Sequence, residues 1–129
     1  PCPMYAITVE SEFSAAHAIS IAGIREPIHG HDWHVTALIE GPTLDADGLL
    51  VDFHTIHSSL IQITDEYHNT NLNDHADYES INASAEHVAM TIANHLSAAI
   101  SESLLEHARL VRVTVSEAPR CNATYTLAP

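Results

Sequence analysis

The chain has 129 residues, 46% of them hydrophobic, and reads as one domain over 1–129 able to bury roughly two thirds of its unfolded surface. Seventeen acidic residues stand against four arginines (Arg25, Arg109, Arg112, Arg120) and no lysine, and the resulting charge of −13 argues against nucleic acid and anionic membranes as partners. No apolar run approaches the ~20 residues of a membrane span and no basic-then-apolar leader opens the sequence, so a cytoplasmic location is expected.

In chain order, "MYAITVESEF" (4–13) alternates apolar and polar residues with β-branched and aromatic content and predicts a first strand. "HVTALIEG" (34–41) predicts a second, ended by Gly41-Pro42. "DADGLLVDF" (45–53) reads as a turn followed by a short extended segment. "HTIHSSLIQITDEY" (54–67) places Ile56, Leu60, Ile61 and Ile63 at helical spacing. Residues 68–82 are rich in Asn and Asp and predict a polar loop. The clearest helix is 84–108, capped by Asn82 or Ser84, with Val88, Ile92, Leu96 and Ile100 in an i+4 stripe. "LVRVTVSEA" (110–118) and "ATYTLA" (123–128) close the chain as strands.

Two strands, two helices and two strands predict an α+β fold: a four-stranded antiparallel sheet with two helices on one face. The other face carries Val9, Thr36, Val113 or their neighbours, and is either solvated or lines something larger. Edge strands of a small open sheet are usually covered, so a homo-oligomer is expected.

Eleven histidines stand out, three of them in "REPIHGHDWHV" (25–35). His29 and His31 lie two apart, so in extended backbone both imidazoles point to the same side, with His34 on the opposite parity. His17 follows the first strand in "EFSAAH" and arrives beside the pair if the first two strands form a hairpin. Three neutral imidazoles would leave a tetrahedral zinc one open position, the arrangement of catalytic sites. The spacing alone leaves room for ordinary polar histidines, because in so histidine-rich a chain roughly one His-x-His pair arises by chance. His54 and His57 could also ligate from one helix face, whereas His75, His87, His95 and His107 have no convergent partner in the sequence and read as solvated or packing residues. No H-E-x-x-H is present, which removes the metalloprotease reading. Cys2 and Cys121 sit in no C-x-x-C, so a zinc knuckle is excluded and two reduced thiols are expected rather than a disulfide.

"FSAAH", "HGHDWHV", "GLLVDF", "NLND", "SAE" at the start of the long helix and "VTVSEA" follow one another in an order that resembles the 6-pyruvoyltetrahydropterin synthase / 6-carboxytetrahydropterin synthase family, over residues 5–126. The resemblance implies zinc (Zn2+) on His17, His29 and His31. It also implies the tunnel-fold (T-fold), in which trimers close a barrel, often stacked as hexamers, with sites between subunits. It implies a small pterin substrate, 7,8-dihydroneopterin triphosphate, whose side-chain hydroxyls the metal chelates. Glu117 matches the carboxylate that holds the pterin's amidine-like edge through paired hydrogen bonds, and Ser84 matches a helix-opening residue that helps bind the ring.

Two positions depart from the family pattern. The family's cysteine lies four residues before H-G-H, where this chain has Arg25, and neither Cys2 nor Cys121 replaces it by sequence position. Glu26 lies three before His29, and E-x-x-H-G-H resembles the branch in which glutamate replaces cysteine and the side chain is cleaved to 6-hydroxymethyl-7,8-dihydropterin. The family's Asp-His pair before "NL" is replaced by His68 and Asn69, which leaves His68 as a candidate proton carrier. The resulting expectation is a zinc-dependent lyase with Glu26 and His68 as catalytic residues. Its alternatives are 6-carboxy-5,6,7,8-tetrahydropterin synthase activity of the queuosine pathway, which the missing cysteine disfavours, a pterin-binding homologue that has lost the reaction, and a metal buffer built on the excess histidines.

Overall fold

Two thirteen-residue strands carry the architecture of the computed structural model, which describes residues 4–129. Cys2 lies outside the described residues. The elements are β1 (Tyr5–His17), β2 (Ser20–Ile21), β3 (Ile24–Arg25), β4 (His29–Gly41), α1 (Phe53–Tyr67), β5 (Thr70–Asn71), α2 (Ala85–Ile100), β6 (Arg109–Ala118) and β7 (Cys121–Thr126). The sheet has five strands rather than the expected four, in the order β5-β1-β4-β6-β7. It is mixed, because the short β5 runs parallel to the end of β1 while the other pairs are antiparallel. β2 and β3 form a separate two-stranded ribbon. The polar stretch 68–82 is thus not all loop: its first residues add the sheet edge, and two short 3-10 turns follow, Leu72–Asp74 and Ala76–Tyr78.

β1 and β4 are longer than alternation alone indicates. They pair over their whole length, from Tyr5 with Gly41 to His17 with His29. The odd-numbered residues of both face the helices: Val9, Phe13 and Ala15 on β1, and Trp33, Val35, Ala37 and Ile39 on β4, are all buried. β6 adds Val113 and Val115, so Val9 and Val113 belong to the covered face, and Thr36 to the open one. From the helices come Ile56, Leu60 and Tyr67 of α1 and Val88, Ile92, Leu96 and Ile100 of α2. Each large apolar side chain taken out of water here contributes about 1.5–3 kcal/mol. The open face is polar, with Thr36 reaching Glu10 and Thr114 paired to Thr124. Gly41 lies in close packing, where an added Cβ would lie 2.7 Å from Leu50 Cδ1 and 3.1 Å from Ala108.

Asp52 caps α1 by accepting from the His54 N–H, and Ser84, not Asn82, caps α2 by accepting from the His87 N–H. The second helix stops at Ile100, eight residues before the expected end. Its apolar stripe runs out there, Ser101–Ser103 form a 3-10 turn, and His107 takes a left-handed φ of 68° that an α-helix cannot accommodate. Segment 45–53 contains no strand: Asp45 accepts from the N–H groups of Asp47 and Leu49, and the turn delivers Leu50 and Val51 into the core. None of the described helices is long and apolar enough to cross a membrane.

Candidate metal centre and adjoining cavity

The register of β1 and β4 puts His17 directly opposite His29, and Ala15 opposite His31. All three imidazoles therefore lie on the helix-covered face, extending the row of Phe13 and Trp33 to the end of the sheet. Ring centroids are 4.7 Å apart for His17 and His29, 5.2 Å for His17 and His31, and 4.8 Å for His29 and His31. One ring nitrogen from each lies within 4.8 Å of the others. Trp33 forms the floor. Its ring stacks on Phe13, its indole N–H donates to the Ala15 carbonyl, and its edge meets His17 at 5.0 Å and His31 at 5.9 Å.

The second nitrogens fix the tautomers. His17 Nδ1 lies 2.7 Å from the Ala83 carbonyl and His29 Nδ1 lies 3.0 Å from the Pro27 carbonyl. A carbonyl only accepts, so each Nδ1 carries the hydrogen and each Nε2 presents a lone pair. A backbone carbonyl holding the far nitrogen is also what orients imidazoles that bind metals. The Nε2 atoms of His17 and His31 are buried and have no hydrogen-bond partner among the described residues. A buried polar atom left unpaired costs about 1–3 kcal/mol, and one divalent cation at the meeting point would satisfy both. Burial holds the His31 pKa below its ordinary value; Glu117 opposes this, and His17 and His29 reinforce it. The neutral form so favoured is the one that ligates metals. The donor set and its orphaned lone pairs fit a metal ion.

Two carboxylates flank the triad on different sides. Glu117 places Oε2 3.7 Å from His17 Nε2 and Oε1 3.8 Å from His31 Nε2, while Glu26 Oε1 lies 3.8 Å from His29 Nε2. These distances are too long for hydrogen bonds, and neither carboxylate belongs to the group whose donors converge. Glu26 is held by Ile19, whose N–H donates to Oε1 at 3.1 Å and whose carbonyl accepts from the Glu26 N–H at 2.9 Å. Glu117 sits at a register shift between Ser116 and Ala118, a bulge of the kind that re-aims a side chain.

A cavity of about 480 Å³ opens beside the triad, lined by His17, Glu26, His29, Ser84 and Glu117 among others. That volume suits a small ligand. Ser84 borders it from the first turn of α2, with its oxygen already engaged as the cap. His68, the candidate proton carrier, does not line this cavity within one chain. It ends α1, accepts from the Ser14 N–H at 3.0 Å, and borders a separate hollow with Glu12 and Asp32.

Residues that sequence reasoning passed over do much of the positioning. Asn73 accepts from the Ala18 N–H and donates to the Ala18 carbonyl, and Asn82 does the same for Ser20. The two asparagines clamp the segment leaving His17 as a neighbouring strand would. "NLND" was a visible pattern, but nothing in it says what Asn73 grips. Cys121 also borders the cavity, although its place in the sequence gave no sign of it. His75 and His95 likewise prove to have a common partner, Asp77, which the sequence did not indicate.

The sequence model of the 6-pyruvoyl tetrahydropterin synthase family matches residues 6–128 of this chain. The 6-carboxy-5,6,7,8-tetrahydropterin synthase of Bacillus subtilis (strain 168) is 30% identical over 127 residues, covering 94% of this chain and 84% of that protein. Among solved structures, the 6-pyruvoyl tetrahydropterin synthase of Plasmodium falciparum superposes with a TM-score of 0.82 at 20% identity, covering 98% of this chain and 99% of that one. The Caenorhabditis elegans enzyme of the same name gives 0.81 at 19% identity, covering 98% of each chain. A Plasmodium vivax homologue, solved as an alanine mutant of a glutamate described as its catalytic residue, gives 0.78 at 20% identity, covering 98% of this chain and 99% of that one.

Proposed function

This chain belongs to the 6-pyruvoyl tetrahydropterin synthase family, and on that premise we propose that it is a zinc-dependent lyase that cleaves the side chain of 7,8-dihydroneopterin triphosphate to give 6-hydroxymethyl-7,8-dihydropterin. The observation that carries the reading is the flanking of one three-imidazole centre by Glu26 on the His29 side and Glu117 on the His17 and His31 side. His17, His29 and His31 would hold zinc, which when bound would lower the pKa of a coordinated side-chain hydroxyl.

The chain's own residues divide the remaining work. Glu117 accepts two parallel N–H bonds from the amidine-like edge of the pterin and so fixes the plane of the ring. Ser84 keeps its hydrogen free to donate toward the ring, because its oxygen is used in capping. Glu26, oriented by Ile19, takes the side-chain proton and returns it. A glutamate is also described as the catalytic residue of the Plasmodium vivax homologue. Arg25 adjoins Glu26 and is exposed; among the described residues it pairs with no carboxylate, which leaves it available to the phosphates.

The site is completed by assembly into a trimer or hexamer. Among the described residues β1 has no strand neighbour beyond β4 along Tyr5–Ser14 and β7 has a free outer edge, and Ile21, Ile24 and Ile28 are exposed. A neighbouring copy is then the only source from which His68 could join. Light scattering that finds a 14.0 kDa monomer at micromolar concentration overturns this part.

The Bacillus subtilis relative favours a second reading, synthesis of 6-carboxy-5,6,7,8-tetrahydropterin, against which Arg25 stands in the place of the family's cysteine. Incubating the zinc-loaded protein with 7,8-dihydroneopterin triphosphate and identifying the pterin product decides between them. Release of 6-hydroxymethyl-7,8-dihydropterin supports the first reading and 6-carboxytetrahydropterin the second. Tight binding without turnover identifies a pterin-binding homologue.

A further inference from the structure

Cys121 opens β7 immediately after the tight turn in which Arg120 takes a left-handed φ of 68°, and pairs with Ala118 across the hairpin. Glu117 and Cys121 are therefore carried by the same short hairpin, and both line the cavity beside the imidazoles. His17, which is only 2% exposed and whose Nε2 has no partner among the described residues, lines the same cavity. Cys121 is a free, exposed cysteine.

We propose that Cys121 is a ligand-facing thiol of this cavity, so that a bound pterin covers it and its covalent modification by a soft electrophile closes the cavity to pterin. The inference rests on the pterin reading given above. With iodoacetamide as the electrophile, the thiolate sulfur forms a bond to the methylene carbon, the carbon–iodine bond breaks, iodide leaves, and the thiol proton passes to solvent. The added acetamide group occupies space that the ligand needs, so protection and blockade are two sides of one exclusion.

The test uses the zinc-loaded protein with neopterin as the probe. Binding is followed by pterin fluorescence, alkylation at Cys121 by peptide mass spectrometry, and metal by elemental analysis. Saturating neopterin is expected to slow alkylation of Cys121 about tenfold or more, and alkylated protein to bind neopterin about tenfold more weakly with its metal retained. Cys121→Ser should make neopterin binding insensitive to iodoacetamide, which assigns the effect to this thiol. Cys121→Trp should weaken neopterin binding by a similar factor without loss of metal. Neopterin binding with unslowed alkylation, or alkylation that leaves affinity unchanged, overturns the inference while leaving the pterin reading intact. Failure of the unmodified protein to bind neopterin at millimolar concentration overturns both.

Discussion

Two histidine clusters lie on this chain, one at the end of the β1–β4 pair and one where the turns after α1 meet α2. In the second, Asp77 Oδ2 accepts from the Tyr67 hydroxyl at 2.7 Å and lies 3.0 Å from His95 Nε2. His75 Nδ1 accepts from the Asp77 N–H, and its Nε2 faces Glu66. Burial pushes the Asp77 pKa up, but the hydrogen bonds from Tyr67 and His95 and the neighbouring histidine charges outweigh it and hold the carboxyl below its ordinary value. Burial pushes the Tyr67 hydroxyl far above its usual pKa, with Tyr78 and Asp77 adding to the effect, so it stays protonated and donates to Asp77. In the first cluster the opposite holds: two buried nitrogens have no partner, and the carboxylates stand back at 3.7–3.8 Å. Equal chemistry thus serves two ends. Histidines that share hydrogen bonds with Asp77 pin a turn to a helix, and histidines whose buried nitrogens lack a partner prepare a site.

That contrast is broken most directly at His31. His31→Ala should abolish stoichiometric metal, lowering affinity by about 100-fold or more in a chelator competition, because no other described donor converges there. Metal retained at full strength would show that the orphaned nitrogens serve another purpose.

Next in size is the division of labour between the flanking carboxylates. Glu117→Gln turns one acceptor oxygen into a donor facing the donors of the pterin, and should weaken pterin binding by about 2–4 kcal/mol in a fluorescence titration. Glu26→Gln should cut turnover by about 10²-fold while leaving binding within about a factor of three. A normal rate in that variant would make Glu26 a bystander.

The second cluster should fail differently. Asp77→Asn is expected to leave metal content unchanged and to lower stability to urea by about 1–3 kcal/mol at neutral pH, since Tyr67 and His95 lose a charged acceptor. Asp77 has a folded pKa below its unfolded value, so its contribution is fully present above the ordinary carboxylate range and is lost as pH falls through the depressed folded value. The advantage of the native protein over Asp77→Asn should shrink over that acid window. His95→Ala, at a half-exposed position, should change stability by only about 0.2–1 kcal/mol and metal content not at all.

Much of the fold could be read from the residues because it depends on local periodicity. The apolar stripe of α2 and the alternation of β1, β4, β6 and β7 are properties of neighbours in the chain. The errors fall where nothing local decides. β5 is two residues long and exists because Ala15 and Ala16 offer it an edge. α2 ends where its buried stripe ends rather than where helical propensity does. The cluster at Asp77 joins residues from 66 to 95 that have no periodic relation. Cys121 borders the cavity and His68 borders another hollow within one chain, because position relative to a motif does not fix position in space.

By itself the sequence determined that His29 and His31 would share a face, since a strand repeats every two residues, and that a carboxylate would stand in each of two motifs. Only the tertiary structure decided that His17 would meet them. That required β1 to pair with β4 in a register bringing position 17 opposite position 29, a contact between residues twelve apart that is set by burying Phe13 and Trp33 in one row. It also decided which nitrogens were left without partners. Hydrogen bonding is a property of three-dimensional neighbours: the carbonyls of Ala83 and Pro27 took one nitrogen of His17 and one of His29.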